Sequence, residues 1–95
     1  MNILKLHIMD LVSGTSTNIE GYTLYVELSN HFEKGFVVEL SMKDLTPFST
    51  SFLNSSFGEL VDKFGFDFIK KHLILTDYRI SDAKKIQEYL LDVIA

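Results

Sequence analysis

The sequence predicts an α/β fold: a small mixed or parallel sheet of three to four strands flanked by three or four helices, in one domain over residues 1–95. Three observations lead there. Strand-like apolar segments and segments with apolar residues in steps of three and four alternate down the chain. Small polar residues and glycines mark the changeovers, at 13–18, Gly35 and Gly65. The length, 95 residues with 46% hydrophobic, suffices for one core and not for two.

Residues 3–12 alternate in part, Ile3, Lys5 and His7 against Leu4, Leu6 and Ile8, and read as a strand with one more polar face. The loop 13–18 follows, in which Thr17 or Asn18 is suited to cap a helix. Residues 19–32 read as that helix. Tyr22, Tyr25, Val26, Ser29 and Phe32 form its predicted buried stripe, widened by Leu24 and Leu28. Gly21 inside this helix points to close packing, and Gly35 to a left-handed stop. Residues 36–42 are the clearest strand, apolar enough to be buried on both faces. Pro47 ends regular sheet.

A second amphipathic helix carries Leu53, Phe57, Leu60, Val61 and Phe64, with Gly58 inside it and Gly65 as terminator. Residues 67–71 form a short helical turn, and 72–76 a third strand. Ser81 or Asp82 is expected to cap a last helix with Ala83, Ile86, Leu90, Val93 and Ile94 on its face.

Several functional classes are disfavoured. The net charge is −4, and the lysine doublets at 70–71 and 84–85 stand among acids, whereas phosphate backbones need clustered cations. No nucleic-acid partner is expected. The chain has no Cys, which excludes a disulfide scaffold and a thiolate zinc site. No signal-peptide pattern and no apolar run of about 18 residues occur, so a cytoplasmic protein without membrane contact is expected. His7, His31 and His72 lack metal-helix spacing, and the five glycines fit no phosphate loop. The acids are scattered. No catalytic residue, metal or cofactor is assigned, and the protein reads as a non-enzyme.

One cluster stands out. Thr46, Ser49, Thr50, Ser51, Ser55 and Ser56 bracket a strand-to-helix junction. The first turn of a helix has unpaired N–H groups and a partial positive charge. A hydroxyl there caps the helix, or accepts a phosphoryl group that this terminus stabilises. The plainer roles are an N-cap at Ser49 or Thr50 and small-residue packing by Ser55 and Ser56 beside Gly58. Among the aromatics, Tyr22, Tyr78 and Phe68 are candidates for a partner or self-association surface.

The stretch from Gly35 resembles a known family. Gly35-Phe36-Val37-Val38-Glu39-Leu40, then the run from Leu45 through Ser49-Thr50-Ser51-Phe52-Leu53-Asn54-Ser55-Ser56-Phe57-Gly58-Glu59-Leu60, and Phe64-Gly65 look like the STAS-like domains of bacteria and phages. These are distant relatives of the anti-sigma-factor antagonists. In those antagonists the strand ends in Asp, then a phosphorylatable Ser or Thr, a small hydroxyl residue and Gly. Ser49 stands at the Asp position, Thr50 at the phosphorylated one, Ser51 follows, and Phe52 replaces the Gly. The resemblance implies a noncatalytic regulatory module that docks a protein partner, an ATP-binding regulator of the histidine-kinase type, through residues 48–58. It implies contacts from Ser49, Thr50, Ser51, Phe52, Asn54 and Ser55 and phosphorylation at Thr50 or Ser51. Two other readings stand beside it: a phage or mobile-element protein that inhibits a host enzyme by binding it, and a binder of small anions at the same helix start.

Overall fold

The computed structural model describes residues 2–94, with side chains described through Leu90. Strand β1 (Ile3–His7) leads into a single helical turn, α1 (Ile8–Leu11). The long helix α2 (Asn18–Glu33) crosses to strand β2 (Val37–Ser41). A helical run follows in three parts: α3 (Thr50–Leu53), a π-helical turn (Asn54–Gly58) and α4 (Glu59–Phe64). Helix α5 (Phe66–His72), strand β3 (Leu73–Thr76) and helix α6 (Ile80–Ile94) complete the order.

The three strands form one sheet in the order β1-β2-β3, parallel throughout. Ile3 pairs with Val37 and His7 with Ser41; Val38 pairs with Leu73 and Ser41 with Thr76. Paired residues share a face, so Leu4 and Leu6, Val38 and Leu40, and Leu73 and Leu75 line one side. That side meets Leu24, Leu28 and Phe32 of α2 and Phe52, Leu53, Phe57 and Leu60 of the helical run in one core. The other side carries Lys5 and Glu39 and leaves Ile3 and Ile74 exposed. The result is a two-layer α/β fold. Because all three strands run the same way, the loops after β1, β2 and β3 gather at one end, where open α/β sheets generally present their sites.

The fold class and the alternation match the sequence reading, and four details differ. The first strand stops at His7 instead of reaching residue 12, because Ile8 turns inward to the core and starts α1. Helix α2 buries Gly21, Leu24, Leu28, Ser29 and Phe32, while Tyr22 and Val26 face out. The predicted stripe was therefore rotated; large apolar residues on most of the circumference gave the sequence little basis for choosing a face. His72 closes α5 and β3 begins one residue later. Ser81 and Asp82 sit inside the first turn of α6 and do not cap it, and Asp82 takes the Arg79 guanidinium at 2.8 Å. Val93 and Ile94 lie outside the described side chains.

Candidate functional site: the strand-to-helix junction

The junction starts where β2 ends. Ser41 donates to Asp77 Oδ2 at 2.6 Å and accepts from the Lys43 N–H at 3.3 Å, which turns the chain out of the sheet. Residues 42–49 then cross the end of the sheet beside the loop 12–17. Two side chains join these loops. Thr15, 1% exposed, has its hydroxyl 2.9 Å from the Thr46 carbonyl oxygen, 3.1 Å from that of Pro47 and 2.8 Å from Thr46 Oγ1. Ser49 donates its hydroxyl to the Ser16 carbonyl at 2.8 Å and receives the Phe52 N–H at 3.1 Å. The Ser49 N–H in turn reaches the Thr15 carbonyl at 3.1 Å.

Ser49 is thus the N-cap of the helical run, the plainer of the roles read from the sequence. Thr50 and Ser51 follow at the first two helical positions, both exposed, and their hydroxyls make no hydrogen bond among the described residues. No acidic residue occupies this first turn, so its partial positive charge is not offset there. Lys85 of α6 adds a cation close by, donating to the Phe48 carbonyl at 2.9 Å and lying 4.8 Å from the centre of the Phe48 ring. Asn54 is exposed and accepts the Tyr89 hydroxyl through Oδ1. Burial, and secondarily the nearby Glu59 carboxylate, push the Tyr89 phenol above its ordinary pKa. Ser55 is half-buried.

Phe52 is the correction among the predicted contact residues. It is 1% exposed and belongs to the core, so it cannot anchor a partner. As the third helical residue it lies on the inward side, while Thr50 and Ser51 lie outward. Ser56 is also fully buried and donates to the Phe52 carbonyl at 2.7 Å.

The same Phe52 carbonyl lies against Gly21 of α2. A Cβ at Gly21 would come within 2.6 Å of that oxygen and 2.9 Å of Ser55 Cβ. This contact fixes the start of α2 against the π-helical turn. Beside it, Asn18, Ile19, Tyr22, Ser55 and Glu59 line a hollow of about 530 Å³. Ile19 and Tyr22 are 76% and 60% exposed. Helix α2 begins here with a capping box: Thr17 accepts the Glu20 N–H, and Glu20 Oε1 accepts the Thr17 N–H and hydroxyl. The Thr17 hydroxyl, with further donors from Ser16 and Ser13, holds the Glu20 carboxyl below its ordinary pKa despite partial desolvation.

The structure brings together Ser49, Thr50, Ser51, Asn54 and Ser55 along one helix start and sends Phe52 inward. Sequence reasoning missed Thr15, whose partners lie 31 and 32 positions away, and Glu20. Of the aromatic candidates, Tyr22 and Tyr78 are exposed. Phe68 is half-buried and stacked between Phe64 and His72, at centroid distances of 4.9 and 3.8 Å. No group of three or more His, Asp or Glu side chains placed to hold a metal occurs among the described residues. A second cleft, about 560 Å³ and mostly apolar, lies between α5, β3 and α6.

A parallel two-layer α/β domain with a capped strand-to-helix corner at the end of its sheet is the class defined by these features. The model of the STAS-like domain of unknown function (DUF4325) matches residues 20–79, and the chain belongs to that family. The match takes in α2, β2, the junction, α5 and β3. Comparison with curated proteins and with solved structures finds no match.

Proposed function

We propose that the protein is a noncatalytic regulatory module that docks a protein partner through the corner formed by residues 48–58. The observation that carries this reading is the outward cluster of uncommitted hydroxyls at Thr50 and Ser51, with Asn54 exposed one turn on and the half-buried Ser55 opening toward Ile19 and Tyr22. The cluster rests on a support tied down by Thr15, Ser49 and Gly21. A surface of this kind meets a partner without first paying to be ordered. The resemblance of the corner to that of anti-sigma-factor antagonists supports one partner class, an ATP-binding regulator of the histidine-kinase type, met in the cytoplasm. No helix among the described residues is long and apolar enough to cross a membrane.

A regulatory phosphoryl group fits the same corner. At Thr50 or Ser51 its charge would meet an unopposed helix N-terminus with Lys85 nearby. Ser49 is the weaker acceptor, because its hydroxyl already bridges two loops.

The test is affinity capture from host lysate with wild-type protein and with the surface variants Thr50→Arg and Asn54→Arg, folding being checked by circular dichroism. Recovery of an ATP-binding regulator by wild type, reduced at least about tenfold by either variant, is the expected result. Capture that ignores both variants overturns the docking surface. A nucleic-acid enzyme recovered in place of a regulator would turn the reading to host-enzyme inhibition.

A further inference from the structure

We propose that the outward stripe of α2, Ile19, Tyr22 and Val26, seats a basic amphipathic helical segment of a partner protein. The inference rests on the docking reading above and adds the chemistry of what docks. At 100° per residue the three side chains fall within an arc of about 60°. They are 76%, 60% and 37% exposed. From Ile19 to Val26 the stripe runs about 10 Å, two helical turns, the length of an i, i+3/i+4, i+7 apolar set on a facing helix. The core does not use it, since Leu24, Leu28 and Phe32 occupy the opposite side of α2. Three large apolar side chains left together in solvent are a binding feature more than a folding one.

Charge decides which occupant fits. Glu59 shares the hollow with Ile19 and Tyr22, and Asp62 is exposed one turn further along α4. Glu27 is exposed about 100° round from Val26, on the side away from Tyr22. None of these carboxylates makes an ion pair among the described residues. The neighbouring cation, Lys63, is held by Glu33 and lies 5.8 Å from the centre of the Tyr25 ring. The stripe is therefore apolar in the middle and acidic on both margins. Such margins repel nucleic-acid phosphates and anionic lipid headgroups. Two copies of this chain meeting on the stripe would set acids against acids. A partner segment with leucine-like residues on one face and Lys or Arg beside them matches both the centre and the margins.

The probe is a 14-residue peptide of Leu and Lys with Leu at i, i+3, i+4 and i+7, titrated into ¹⁵N-labelled full-length protein. A twin peptide with Glu in place of every Lys is the control. The expected amide shift changes cluster at residues 18–27 and 55–62 and are absent with the Glu twin. Tyr22→Ser weakens binding about tenfold, and the pair Glu27→Lys with Glu59→Lys weakens it at least about fivefold and flattens its salt dependence. Shifts that scatter elsewhere, an equal response to the Glu twin, or indifference to the charge reversals overturn the proposal. All three sites are exposed, and a dispersed spectrum shows that each variant is folded. Native capture separates the two readings. Loss with Thr50→Arg but not with Tyr22→Ser removes this proposal and leaves the corner; the opposite pattern does the reverse.

Discussion

Thr15 has a single hydroxyl proton and three oxygens within reach. It donates to one of them at a time, and between the Thr15 and Thr46 hydroxyls either can be the donor, so one side chain pins the loop after α1 to the loop after β2. Thr15→Val keeps the shape and removes the donor, leaving a sheltered site without its partner. We expect a loss of about 1–3 kcal/mol in urea unfolding, against little change for Thr23→Val, whose exposed hydroxyl only bonds back to Ile19 at 3.1 Å. A Thr15→Val protein as stable as wild type would show that the loops are held by packing alone. At this scale the sequence is legible where partners are close. Thr17, one of the two cap candidates read before the apolar run, is the cap, and the structure adds Glu20 three residues on to complete the box. Thr15 is opaque because its partners come from another loop. Phe52 misleads for a related reason: neighbours in a sequence motif need not be neighbours on a helix surface.

Helix α2 crosses the π-helical turn so closely at Gly21 that a Cβ there would meet backbone. Gly21→Ala would gain roughly 1 kcal/mol of helix propensity, yet its methyl meets backbone, the Phe52 carbonyl, at 2.6 Å. Overpacking of this kind costs about 1–3 kcal/mol, so a net loss is expected. Gly58→Ala meets chiefly the tip of Tyr89, a flexible side chain, and is expected to cost less. Denaturant midpoints rank the two; a reversed order would mean that α2 yields more easily than Tyr89. The helical run also shows what periodicity conceals. Its buried residues, Phe52, Ser56 and Leu60 with Leu53 and Phe57 beside them, recur every four positions, wider than the 3.6 of an α-helix. The π-helical turn absorbs that mismatch and keeps both rows inward. Strand β2 was legible almost residue for residue, because an apolar β-branched run after a glycine has few other uses. The buried face of α2 was not, because leucines and tyrosines compete for it.

Across the whole molecule, stability should be graded outward from β2. This strand is hydrogen-bonded on both sides and largely buried, whereas β1 and β3 are edges. Amide exchange is expected to be slowest at Val38 and Leu40 and markedly faster at Lys5 and at the solvent-facing amides of β3. Uniform exchange across the sheet would instead mark a single all-or-none opening. The alternation of strands and helices was readable because each element type writes its own period into the chain. The placement of the site was readable only in outline. The family match covers β2, β3 and the corner between them, while β1 and Thr15 lie before its first matched residue. What ties the corner down therefore comes partly from outside the matched segment.

Ser49 works in two directions, taking a proton bond from one helix start and giving one to the loop before the other. A carboxylate in its place could do the first and not the second, and would point a negative oxygen at the Ser16 carbonyl. The hydroxyl at this position thus welds two turns into one platform, and an acid could take its place only by cutting that weld.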